Sequence, residues 1–214
     1  MRIALFGAPG VGKGSQASFL SRNQGLVHIS TGVILRAAIR NGSDVGLEAK
    51  RYMDSSRLVP GEIVRVLAEE AIAANGYDQF VLDGYPRTIE QAQWLSDFLS
   101  ANDADLHCVV NLVVSDEVIV SRLSQRRVNI ETGENFHLEF KPPPPEIDPS
   151  LIIQRKDDRP DAILRRLEVY QEETHPLVAL YRQKNLMVEV DGEGTFEEVH
   201  QRIIDAVYSF AASN

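Results

Sequence analysis

Apolar residues fall along the chain in two alternating patterns. Five short, almost unbroken apolar runs recur: Ile3 to Phe6, Leu26 to Ile29, Phe80 to Leu82, Cys108 to Val114 and Leu186 to Val190. Each is the length of a strand buried on both faces. Longer segments with helical spacing lie between them. In one, Ile63, Leu67, Ala71 and Ala74 recur every three or four residues, with Val64 and Ala68 beside them. The last begins Thr195-Phe196-Glu197-Glu198, where Thr195 and Glu198 satisfy each other's free backbone donors, and continues with Phe196, Val199, Ile203, Val207 and Phe210 on one face. Strands alternating with helices predict an α/β fold: a five-stranded parallel sheet covered by helices on both faces.

Two regions break the alternation. Residues 30–59 carry two short helical patterns and no strand, which predicts a small helical insert. Over about 125–158, Phe136, Leu138 and Phe140 alternate with His137, Glu139 and Lys141 as in a strand. Glu131-Thr132-Gly133 supplies a turn before them, and Pro142 to Pro145 form a stiff extended piece after them. The prediction is a small β lid between two helices. The rest of the chain, 1–29, 60–124 and 159–214, forms the core.

Composition narrows the partners. The chain has 214 residues, 43% hydrophobic and 25% charged, as in ordinary globular proteins. A formal net charge of -9 argues against nucleic acid or an anionic membrane as the main partner. No stretch reaches the roughly 20 apolar residues of a membrane span. The apolar run at the N-terminus is too short for a signal segment, so a cytoplasmic location is expected. The single cysteine, Cys108, sits inside an apolar run and reads as core.

The strongest chemistry follows the first strand. Gly7-Ala8-Pro9-Gly10-Val11-Gly12-Lys13-Gly14-Ser15 joins a strand to a helix. Glycines let several backbone N–H groups turn toward one anion, and the helix N-terminus adds partial positive charge. Lys13 can reach β- and γ-phosphates, and Ser15 the shell of a magnesium ion. Gly14 separates Lys13 from the hydroxyl residue, where the usual phosphate loop has none. No guanine-reading Asn/Thr-Lys-x-Asp motif is present, which argues against a regulatory GTPase.

The form Gly-x-Pro-Gly-x-Gly-Lys-Gly-Ser resembles the adenylate kinases and their nucleoside monophosphate kinase relatives. Further stretches match in the same order: Ser30-Thr31-Gly32 with Arg36; Asp83-Gly84-Tyr85-Pro86-Arg87-Thr88 with Gln91; Arg122 with Arg126-Arg127; and Arg155-Lys156-Asp157-Asp158 with Arg165-Arg166. Ser30-Thr31 reads equally well as a plain helix cap. The resemblance implies ATP·Mg and AMP as substrates and two ADP as products, with no zinc and a monomer. It implies catalytic roles for Lys13, Arg87, Arg126, Arg155 and Arg166. It assigns ATP to Gly10, Val11, Gly12, Lys13, Gly14, Ser15, Arg122, Arg126, Asn135, Phe136 and Gly194. It assigns AMP to Thr31, Arg36, Arg57, Leu58, Val59, Gly84, Tyr85, Pro86, Arg87, Gln91, Arg155 and Arg166. Ser15 and Asp83 would hold Mg2+, largely through water.

Thr31 and Thr88 match AMP enzymes, whereas UMP or CMP enzymes carry Ala and Asn there. A kinase of another monophosphate, and a nucleotide-binding module without catalysis, are the alternative readings. Two positions depart from the family pattern: Val33 replaces an aspartate, and Gly61 replaces an acid after Val59-Pro60. The lid lacks the four-cysteine zinc set of some relatives; Phe136, Leu138 and Phe140 are expected to stabilise it instead.

Overall fold

The computed structural model describes Met1 to Ser213. Five parallel strands form one sheet: β1 (Arg2–Phe6), β2 (Val27–Ser30), β3 (Phe80–Asp83), β4 (Cys108–Val113) and, last in the chain, β8 (Met187–Asp191). Their order is β2-β3-β1-β4-β8, with Ile3 beside Val81 on one flank and Cys108 on the other. Successive side chains on β1 enter opposite layers. Ile3 and Leu5 pack with α1 (Lys13–Gln24), α6 (Asp116–Ser124), α7 (Pro160–Val169) and α9 (Phe196–Ser213). Ala4 and Phe6 pack with α4 (Gly61–Ala74), α5 (Ile89–Ser100) and α8 (Pro176–Gln183). Both faces are covered, so the strands read as continuous apolar runs. Cys108 is buried, and burial pushes its thiol up to about 12, consistent with a core residue.

The helices follow their predicted stripes with one adjustment. In α4 the most buried positions are Val64, Ala68 and Ile72, while Ile63 and Leu67 are partly covered and Ala74 is exposed. The helix is rotated by about one residue from the expected stripe. At α9 the reciprocal cap forms: Thr195 N–H donates to Glu198 Oε2 at 2.8 Å, and Glu198 N–H to Thr195 Oγ1 at 3.3 Å. Such a cap contributes about 1 kcal/mol. Burial of Val199, Ile203 and Val207 contributes about 1.5–3 kcal/mol each. Packing, more than capping, therefore holds α9 on the sheet.

Residues 31–54 form α2 (Thr31–Arg40) and α3 (Asp44–Asp54). The two cross closely, because a Cβ on Gly46 would lie 2.2 Å from the Ala38 carbonyl oxygen. Between α6 and α7 lies a three-stranded antiparallel sheet: β5 (Arg126–Asn129), β6 (Asn135–His137) and β7 (Ile152–Ile153), with β5 in the middle.

The expected strand through Leu138 and Phe140 stops at His137. The chain folds back there, and His137 pairs with Lys141. Of the three apolar residues expected to stabilise this sheet, only Phe136 is buried; Leu138 is 48% exposed and Phe140 74%. Asn129 supplies what they do not. Its buried side-chain oxygen accepts the N–H groups of Glu131 and Thr132, which shapes the turn. Among the described residues no group of three or more His, Cys, Asp or Glu could hold a metal, and no helix is long and apolar enough to cross a membrane.

Burial holds the imidazoles of His107, His137 and His200 below their ordinary pKa. The unfolded chain therefore binds protons at higher pH than the folded one. Their contribution is complete above about pH 6.5 and is lost as pH falls through the lower folded values. The melting temperature should drop between pH 7.5 and pH 5.5. The drop should shrink in His200→Asn, which keeps a donor for Gln16. An unchanged drop in that variant would remove His200 from the account.

Candidate active site

The C-terminal ends of β1, β3 and β4 open onto one cleft, where the loop after β1 leads into α1. Gly10 and Gly12 have φ of 92° and 104°, conformations that side-chain-bearing residues rarely adopt, so the loop can curl. Val11 is buried, and Ser15 is exposed at the start of α1. Lys13 Nζ donates to the loop's own carbonyls, Gly7 O at 2.6 Å and Ala8 O at 2.8 Å. The extra glycine keeps the helix start close to Asp83: a Cβ on Gly14 would lie 3.3 Å from Asp83 Oδ2.

Asp83 ends β3 and faces the loop. Burial pushes its carboxyl pKa up, but His28, Lys13 and Ser30 outweigh burial and hold it below the usual range. Ser30 Oγ donates to Oδ2 at 3.1 Å, and His28 Nε2 lies 3.4 Å away. Ser30 and Thr31 therefore do not cap α2 with their side chains. The Thr31 hydroxyl donates to Gly84 O at 3.0 Å instead. Gly84, at φ 85°, leaves room for Arg87, whose Nε donates to Gly84 O at 2.9 Å. A Cβ there would lie 2.9 Å from the Arg87 guanidinium. Tyr85 and Pro86 are buried behind this turn.

The arginines converge on the same space. Burial lowers the pKa of Lys13 to about 7; Asp83 partly offsets this, and Arg87, Arg166 and Arg126 add to it. Arg36 folds against Gly32 and is pulled down to about 9 by burial and then by Arg155. Arg87 is lowered by burial and by Arg155, with Asp83 opposing. Two carboxylates hold the arginines from α7 and the antiparallel sheet. Arg126 makes a two-pronged pair with the fully buried Asp158, at 2.7 and 2.5 Å. Arg155 makes another with Asp157, at 2.9 and 2.6 Å. Arg166 touches both, 3.1 Å from Asp157 and 3.3 Å from Asp158. Burial opposes ionisation of Asp157, but Arg155 and Arg166 hold its pKa far below the ordinary value.

The two inserts meet across the cleft: Lys156 Nζ lies 3.7 Å from Asp54 at the end of α3. Behind the phosphate loop, Arg122 donates to Val11 O at 3.3 Å and Gly192 O at 3.0 Å. Gly194, exposed at φ 108°, belongs to the same rim. Val33 is 52% exposed.

Several residues singled out from the sequence sit elsewhere or differently. Arg127 turns to Ser124 O and Arg126 O, and Arg165 is exposed. Arg57 is exposed and lies over the Tyr52 ring at 5.4 Å, next to Leu58 and buried Val59. The Phe136 ring is packed inside the small sheet beneath Lys141, while Asn135 is exposed beside it. Sequence reasoning missed His28 and Ser30 as partners of Asp83, and gave Asp157 and Asp158 no role. The run Arg155-Lys156-Asp157-Asp158 was the available signal for the last two.

An oxygen-only donor set, Ser15 and an ionised Asp83, suits a hard cation that keeps most of its water and binds phosphate oxygens. Mg2+ fits those residues.

Comparisons with known proteins agree with this geometry. The adenylate kinase family model matches residues 5–186. A protein named adenylate kinase from Salinibacter ruber is 52% identical over 97% of this chain and 98% of its own length. Adenylate kinases from Chloroherpeton thalassium and Fusobacterium nucleatum are each 40% identical, over 98% and 95% of this chain and 99% and 96% of their own lengths.

The state of Lys13 has a measurable consequence. With a pKa near 7 it is mostly neutral at pH 8 in the free protein. Polyphosphate beside it restores the ammonium form. ATP binding at pH 8 should therefore take up close to one proton, and at pH 6 far less. Calorimetry in two buffers of different ionisation enthalpy measures this. Equal heats in both buffers at pH 8 would contradict it.

Proposed function

Because the chain belongs to the adenylate kinase family, we propose how its residues divide the family's reaction among them. The reaction is reversible transfer of the γ-phosphoryl group of ATP to AMP, giving two ADP. The observation that carries the division is the convergence of Lys13, Arg36, Arg87, Arg126, Arg155 and Arg166 on one space beside Asp83, with Arg126, Arg155 and Arg166 held by Asp157 and Asp158 and with Lys13 and Arg87 held by backbone carbonyls.

Gly10 to Ser15 receive the ATP phosphates through backbone N–H groups, and Lys13 leaves Gly7 O and Ala8 O for the β- and γ-oxygens. Arg122, Asn135, Phe136 and Gly194 border the ATP base. The Phe136 ring is already packed, so its backbone is the part that faces nucleotide. Arg36 and Arg87 grip the AMP phosphate, and Thr31, Arg57, Leu58, Val59, Gly84, Tyr85 and Pro86 surround the rest of AMP. Arg126, Arg155 and Arg166 exchange Asp157 and Asp158 for the equatorial oxygens of the group in transit. Such transfer relies on positioning and on fixed positive charge, and needs no general base. Mg2+, held through Ser15 and Asp83, neutralises charge on the β- and γ-phosphates. The Lys156–Asp54 contact draws the two inserts together and helps exclude water.

The choice of AMP is supported by Gln91. Its Oε1 accepts the Arg87 N–H at 2.8 Å, so the NH2 end is left for the base. A donor there suits adenine N1, which is an acceptor. Guanine N1–H and uracil N3–H are donors and do not match it; cytosine N3 is an acceptor like adenine N1, so preference over CMP rests on Thr31 and Thr88 instead. We take the protein to work in the cytoplasm, in keeping with its use of ATP, and as a monomer, as the family resemblance implies.

ADP formation from AMP, UMP, CMP and GMP tests the substrate, with AMP expected to be fastest. Faster turnover of UMP would overturn the choice. Lys13→Ala should lower kcat by on the order of 10²–10³ while the melting temperature barely moves, since Lys13 bonds only loop carbonyls. A stability loss in proportion to the activity loss would count against its role.

A further inference from the structure

Trp94 is the only tryptophan in the chain and lies on α5, three residues after Gln91, on the same helix face. It is half-buried. Its six-membered ring occupies the space over Gly61, the first residue of α4. A Cβ on Gly61 would lie 3.2 Å from Cζ3, 3.4 Å from Cη2 and 3.6 Å from Gln91 Nε2. Gly61 has no left-handed φ, so it is space rather than backbone conformation that favours glycine there. A larger side chain at this position would need the indole to give by a few tenths of an ångström. Arg65, one turn further along α4, covers the ring at 5.0 Å and is held by Glu69 at 2.8 Å. Gly61, which follows Leu58 and Val59 after Pro60, thus faces both the indole and the amide of Gln91.

We infer that Trp94 is a positioning residue for the AMP base. Through Gly61 it sets how closely the Leu58–Val59 segment approaches Gln91. The inference rests on the assignment of Gln91 to the AMP base. Loss of the indole frees both the Gln91 amide and the start of α4, and a residue larger than glycine at 61 pushes them apart.

Steady-state kinetics of a double-mutant cycle test this. Trp94→Leu should raise KM for AMP about tenfold, the worth of one misplaced hydrogen bond, while kcat and KM for ATP stay within about twofold. Trp94→Phe should keep most of the affinity. Gly61→Ala should raise KM for AMP in the parent chain and have little effect beside Trp94→Leu. Equal rises in both KM values, a fall in melting temperature with unchanged kinetics, or the same Gly61→Ala cost in both backgrounds would overturn it. Gln91→Leu separates the two assignments. If it leaves KM for AMP unchanged, the base assignment fails; if it raises KM while Trp94→Leu does not, only the role of Trp94 fails. In the unaltered protein, AMP should shift the tryptophan emission, and no shift would contradict the placement.

Discussion

Crowded positive charge is the constraint that the rest of this structure serves. Six cationic side chains come within electrostatic reach of one another around the end of β3. Left unpaired, they would repel and would be costly to remove from water. Asp83, Asp157 and Asp158 make the cluster tolerable. In the proposed division of roles, Asp157 and Asp158 hold the places that phosphate oxygens take over, while Asp83 stays with Mg2+. On that proposal the free protein carries internal substitutes for its ligand, and nucleotide binding is an exchange of anions.

The fold explains how residues so far apart in sequence meet. Parallel strands bring the ends of β1 and β3 together, which sets the phosphate loop beside Asp83. The two inserts bring the remaining charges from opposite sides: Arg36 on α2, Arg126 on β5, and Arg155 at the exit of the small sheet. Arg166 on α7 anchors that exit to the core through Asp157 and Asp158. Removing Asp158 would strand Arg126 and take one of the two carboxylate partners of Arg166, so its importance to stability and to function is hard to separate. Asp83 is different, because His28 and Ser30 orient it independently of the arginines.

Local features were legible in the sequence. The five apolar runs became the five strands, and the loop from Gly7 to Ser15 was recognisable because its glycines, lysine and hydroxyl are consecutive. The cap at Thr195 was readable for the same reason. What failed was tertiary. Leu138 and Phe140 alternate as a strand does, yet the chain reverses after His137 and leaves them exposed. Arg127 and Arg165 look no different in local pattern from Arg126 and Arg166; the family resemblance singled out Arg126 and Arg166, and folding turns those two toward Asp157 and Asp158. Gly61 stood out in sequence only as a missing acid; its neighbour in space is the indole of Trp94, 33 positions along the chain, which no local pattern announces.

The anion-exchange account is tested most directly by a crystal structure with two adenosines joined through five phosphates. The account predicts one adenosine beside Arg122, the other beside Gln91, and the guanidinium groups of Arg126, Arg155 and Arg166 moved from Asp157 and Asp158 onto phosphate oxygens. A complex in which those arginines kept their carboxylate partners, with the phosphate chain bound elsewhere, would contradict it.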